Sequence, residues 1–79
     1  MKQLLFTTPS CPVCPAAIHL LQKNGIHYEC IDATKNNKLT KKYLVLKAPT
    51  LVVVSTSSYT SYYGLEEIKN YIQSKKVDG

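Results

Sequence analysis

The 79-residue sequence contains no tryptophan, no arginine and only three cysteines, and its acidic residues number five against ten lysines. Each shortage narrows the reading. Nucleic-acid recognition relies heavily on arginine's planar fork, so a net charge of +5 carried wholly by lysine reads as a solvated coat or a docking face for an acidic partner, not as a nucleic-acid surface. An odd cysteine count argues against a secreted disulfide scaffold. Apolar runs are short. Leu4-Leu5-Phe6 is followed at once by Thr7-Thr8-Pro9-Ser10, too brief for a signal-peptide core, and no stretch approaches a membrane span. A soluble chain in a reducing compartment, the cytoplasm, is therefore expected, with no membrane partner and as a monomer.

The length allows one domain, residues 1–79, with a modest core. Hydrophobic content of 44% suits a globular chain and excludes a disordered one. Below about 70–80 residues such domains usually need a staple, and a Cys11–Cys14 loop is too short to constrain much chain.

The periodicity gives β-α-β-α-β-β-α. Lys2 to Phe6 reads as a buried strand. A helix follows from Pro12 to Asn24, with Cys14, Ala17, Ile18 and Leu21 on one face and Gly25 past its end. Ile26 to Ile31 reads as a second strand and Asn36 to Leu44 as a short helix, with Leu39 and Tyr43 inward. Thr50 to Val54 is β-branched and apolar on both faces, so it should be central. Tyr59 to Tyr63 forms its hairpin partner. Gly64 breaks that strand before a last helix from Leu65 to Lys75, with Glu66 and Glu67 in its first turn and Lys75-Lys76 at its end, both matching the dipole. Residues 77–79 should fray. The packing implied is a four-stranded mixed sheet with helices on both faces.

Cys11-Pro12-Val13-Cys14 stands where the first strand hands over to the first helix. Two thiols three apart at such a corner can share a disulfide and exchange it with another protein's cysteines. Cys11, at the helix N-terminus where unpaired N–H groups favour an anion, is the expected attacking thiol; Cys14, one turn on and inward, is the resolving thiol. Pro12 suits a first helical turn. Pro15 removes a helical N–H and disfavours a helical Cys14, so a tight or kinked helix start is expected. Cys30, in phase with Ile26 and Tyr28, reads as a small core residue. His19 and His27 read as surface residues. A metal or iron–sulfur cluster module would need two further ligands, for which only Cys30, His19 and His27 are candidates. Pro49 either simply starts the central strand or, in a redox fold, is cis and faces the disulfide.

Three motifs in order carry a family resemblance: Thr8-Pro9-Ser10-Cys11-Pro12-Val13-Cys14, Lys47-Ala48-Pro49-Thr50 and Tyr63-Gly64-Leu65-Glu66. Together with the element order they make the chain resemble the thioredoxin-fold redoxins, and the small glutaredoxin-like branch most of all. The resemblance implies an α/β thioredoxin-like fold and a thiol–disulfide oxidoreductase acting in electron transport and cell redox homeostasis. The catalytic pair would be Cys11 and Cys14, with substrate contacts at Ser10, Pro12, Val13, Lys47, Ala48, Pro49, Gly64 and Leu65. It also implies no bound cofactor or metal beyond a redox-active Cys11–Cys14 disulfide. A protein disulfide, in some relatives that of ribonucleotide reductase, would be the substrate, and glutathione or a thioredoxin reductase the electron donor. Glutathione-binding members usually carry a double glycine followed by a small polar residue and an aspartate, where this chain has one glycine and Leu65-Glu66-Glu67; Lys47 replaces the family threonine. Both departures argue against a dedicated glutathione site. The other readings of the same residues are the cluster module and a redox-inactive adaptor docking through Lys38, Lys41, Lys42 and Lys47.

Overall fold

The computed structural model describes residues 2–77, with side chains as far as Ser74. Its elements are β1 (Lys2–Thr7), α1 (Cys14–Lys23), β2 (Glu29–Asp32), α2 (Asn37–Lys42), β3 (Thr50–Val54), β4 (Tyr59–Tyr63) and α3 (Gly64–Val77). The sheet order is β2-β1-β3-β4, with β1 and β2 parallel and the other pairs antiparallel. Strand β3 is interior, as its two-sided apolar sequence requires. Its register with β1 sets Leu5 opposite Leu51 and Leu4 opposite Val52, so alternate residues serve opposite faces.

Each face has its own core. On one, Leu5 and Leu51 meet Ala17 and Leu21 of α1 and Ile68 and Ile72 of α3. On the other, Leu4, Phe6, Ile31 and Val52 pack with Tyr43, which meets the Phe6 ring edge-on at 6.4 Å. The result is the mixed sheet covered on both faces that the element order implies, and the thioredoxin-like layering that the resemblance implies.

Several boundaries differ from the sequence reading, for local reasons. Helix α1 starts at Cys14 rather than Pro12. Val13 is the N-cap, and the first helical bond runs from the Ala17 N–H to the Val13 carbonyl at 3.2 Å. Pro15 thus falls in the first turn, where its missing N–H would have had no helical partner, and no helical bond is lost. Strand β2 begins at Glu29 rather than Ile26. The Ile26 N–H is turned back to the Leu21 carbonyl at 3.0 Å, and the Gln3 side chain takes the His27 carbonyl at 2.9 Å. Helix α2 stops at Lys42, because Leu44 turns left-handed with φ 53°. Gly64, with φ 86°, joins α3 as its first residue. The side chains of Lys75 and Lys76, and residues 78–79, lie outside the described portion.

Cys30 is a clear correction: it is exposed, not core. It pairs with Leu5 and lies on the same face, but β2 is the sheet edge, and the thiol's neighbour is the Thr7 hydroxyl at 3.6 Å. Ile26 and Tyr28 pack against the Leu5 core and Cys30 shares that face, so the phasing holds and it is the edge position that leaves the thiol open.

Candidate active site

One end of the sheet gathers the motif residues. Phe6 pairs with Thr50, and Thr50 with Tyr63. The loop leaving β1, the segment entering β3 and the turn leaving β4 therefore share this end, with the start of α1 beside them.

The loop Thr8–Cys11 closes on itself through a hydrogen bond from the Cys11 N–H to the Thr8 carbonyl at 3.2 Å, leaving Pro9 and Ser10 exposed at its tip. Both thiols of the pair are free, Cys11 half-exposed and Cys14 only 3% exposed. Burial pushes the Cys14 thiol up to about 11, helped by its side-chain hydrogen bond to Cys11 and opposed by a backbone hydrogen bond from Thr8. The Cys14 proton is thus held on the buried sulfur and offered toward the outer one. The asymmetry of the pair follows from position: Cys11 precedes the helix on an open turn, while Cys14 begins the stripe that continues through Ala17 and Leu21.

The segment entering β3 at this end is Lys47-Ala48-Pro49, whose Ala48–Pro49 peptide is cis. Pro49 is fully buried, and its carbonyl accepts from the Gly64 N–H at 2.8 Å. The Thr50 hydroxyl donates to the Lys47 carbonyl and braces the bend. Among the described residues, none hydrogen-bonds to the Ala48 backbone. The Lys47 side chain lies along Gly64, its Cε and Nζ both 3.4 Å from where a Cβ would stand. Ser10 and Pro12 are exposed, and Val13, between the thiols, is 40% exposed. Leu65, also expected in the site, packs half-buried against the α1–α3 core. His19 and His27 are exposed, and among the described residues no group of three His, Cys, Asp or Glu side chains could hold a metal ion.

Sequence reasoning passed over Leu44 and Leu46, which are 62% and 84% exposed in the loop leading to Pro49. The signal was available: after Lys41-Lys42-Tyr43 a helix end calls for glycine or asparagine, and leucine stands there.

A family model for glutaredoxin matches residues 4–54, a span that includes Cys11, Cys14 and the cis Pro49. The chain belongs to the glutaredoxin family. A thioredoxin of Methanocaldococcus jannaschii is 31% identical over 59 residues, covering 67% of this chain and 69% of the relative. The crystal structure of Deadhead, a germline-specific thioredoxin of Drosophila melanogaster, superposes with a TM-score of 0.73 at 26% identity, covering 95% of this chain and 78% of its own. Thioredoxin 1 of Thermosipho africanus shares the fold at a TM-score of 0.68 and 22% identity, with 96% and 99% of the two chains covered. Glutaredoxin-family proteins are in general thiol–disulfide oxidoreductases, and the dithiol here stands at the sheet end where such chemistry can be served. No helix among the described residues is long and apolar enough to cross a membrane.

Proposed function

We propose that this glutaredoxin-family domain is a dithiol electron carrier that reduces protein disulfides. The Cys11 thiolate attacks one sulfur of the substrate, forming a mixed disulfide and expelling the other sulfur as a thiolate. Cys14 then attacks the Cys11 sulfur, closing the Cys11–Cys14 disulfide and releasing the second substrate thiol. Two electrons pass from the dithiol to the substrate, and an external thiol reductant restores the domain. The observation that carries the reading is the unequal pair, one sulfur on an open turn and the other buried with its proton held against the first. Cys14 must lose that proton to resolve, and the thiolate expelled in the first step is a base suited to take it. The unpaired Ala48 backbone and the exposed Val13 are the surfaces that an extended substrate segment would meet.

A dedicated glutathione site is disfavoured by the start of α3. The Glu67 carboxylate accepts the Tyr63 N–H at 3.0 Å, and the Gly64 N–H is held by Pro49. The entrance to that helix already holds a carboxylate of its own, which repels the glutathione carboxylate. A protein reductase is the favoured electron donor.

Turnover of insulin disulfides with dithiothreitol as electron source tests the mechanism. Cys11→Ser should abolish it, and Cys14→Ser should leave a mixed disulfide that survives non-reducing electrophoresis. Full activity in Cys11→Ser would sink the proposal.

A further inference from the structure

Helix α2 ends in a paired hydrogen-bond cap. The Val45 N–H reaches the Thr40 carbonyl at 2.8 Å, and the Leu44 N–H reaches the Lys41 carbonyl at 3.4 Å. The residue between cap and exit must turn left-handed, a place that glycine fills without strain. Leu44 fills it instead, at φ 53°, with its side chain 62% exposed. A branched apolar side chain forced into that conformation and then left in water serves neither the helix nor the core. Two residues on, Leu46 is 84% exposed. The loop is nevertheless fixed in place, since the Tyr63 hydroxyl donates to the Leu44 carbonyl at 2.9 Å.

The stretch of chain that carries these leucines has charge of one sign. Between Ala33 and Leu65 the chain carries Lys35, Lys38, Lys41, Lys42 and Lys47 and no aspartate or glutamate. All five lysines are exposed, and among the described residues none makes an ion pair. The surface also continues into the redox site: Lys47 lies along Gly64 and stands two residues before Pro49.

We propose that the Leu44–Lys47 loop and the lysine face of α2 dock the disulfide substrate, and that the substrate is a protein segment that flanks its disulfide with acidic residues around an apolar one. The inference rests on the dithiol reading above and adds its substrate class. The leucines give the apolar contact, and the lysines steer and orient an acidic strand toward Cys11. Leu44 is kept for contact at the expense of the helix end.

Three synthetic peptides with one intramolecular disulfide, flanked by Glu-Leu-Glu, Ser-Leu-Ser or Lys-Leu-Lys, test this with the pre-reduced full chain. The second-order rate constant for reduction should be about tenfold or more higher for the acidic than for the basic peptide at low ionic strength, converging in 0.5 M salt at a Debye length of about 4 Å. Lys41→Glu with Lys42→Glu should remove most of the difference between the acidic and basic peptides. Leu44→Gly, which relieves the strained backbone, should slow the acidic and neutral peptides severalfold while raising the melting temperature. Equal rates for the three peptides would overturn the docking proposal and leave the dithiol reading standing. No reduction of the neutral peptide would remove the dithiol reading and this inference with it. Unchanged rates in Leu44→Gly, or a single-stranded RNA oligonucleotide that displaces the acidic peptide at equal concentration, would also overturn it.

Discussion

Helices α1 and α2 end in the same hydrogen-bond pattern with different residues at its centre. At the end of α1 the Ile26 N–H returns to Leu21 and the Gly25 N–H to Gln22, with Gly25 at φ 66°. At the end of α2 the Val45 and Leu44 N–H groups make the corresponding bonds, with Leu44 at φ 53°. The two helices also differ in what they bury. Helix α1 contributes Cys14, Ala17 and Leu21 to the interior, whereas α2 buries none of its own residues and presents lysines. The first helix ends on the glycine that local rules call for and holds one thiol of the Cys11–Cys14 pair. The second breaks that rule at Leu44, whose carbonyl is held by the Tyr63 hydroxyl. A left-handed non-glycine residue costs about 1–2 kcal/mol, so the difference marks where surface has been favoured over stability.

The widest gap between the helices should appear on truncation. Leu21→Ala empties a fully buried site and should cost about 2–5 kcal/mol, while Leu39→Ala, at a half-buried position on α2, should cost about 1 kcal/mol. Urea unfolding of both variants measures this, and equal losses would end the contrast. A second test uses alkali. The Cys14 thiol is raised from 9.0 to about 11 in the fold, so above pH 9 the unfolded chain releases that proton first. Stability of the reduced protein is then full below pH 9 and falls as pH rises toward 11. Two pH units correspond to at most ~3 kcal/mol, and to less once solvent screening is counted. Cys14→Ser removes this part of the decline, and parallel pH profiles for the two proteins would contradict the assignment. The smallest effect is the most specific. Gly25→Ala meets no atom within 4 Å, so only the backbone objects. Strain less the entropy that glycine loses on folding leaves a net loss of about 0.5–1 kcal/mol, and Leu44→Gly should gain a similar amount. Shifts of the same sign in the two melting temperatures would show that the caps are not equivalent.

The core and the thiol pair were legible because they are periodic or local. Cys14, Ala17 and Leu21 repeat at helical spacing and are buried together; Thr50 to Val54 reads as an interior strand and is one. Misreadings arose where a backbone group found a partner outside its own element. Ile26 to Tyr28 looked like strand, but the Ile26 N–H caps α1. Cys30 looked like core from its phase with Ile26, yet an edge strand leaves its thiol open. Pro15 looked disruptive only while the helix was drawn from Pro12.

Sequence alone determined the element order, the two-sided apolar strand, the Cys-Pro-Val-Cys corner and the lysine-only charge, since each depends on spacing or residue type within a few positions. Tertiary structure decided that Pro49 and Gly64 share the end of the sheet with Cys11, that the Glu67 carboxylate takes the Tyr63 N–H, that Cys30 lies open on an edge strand, and that Leu44 is left-handed and exposed. Those facts depend on register and on which surfaces remain uncovered after packing. Strand pairing brings together residues about forty to sixty positions apart in the chain, a relation that no local pattern encodes.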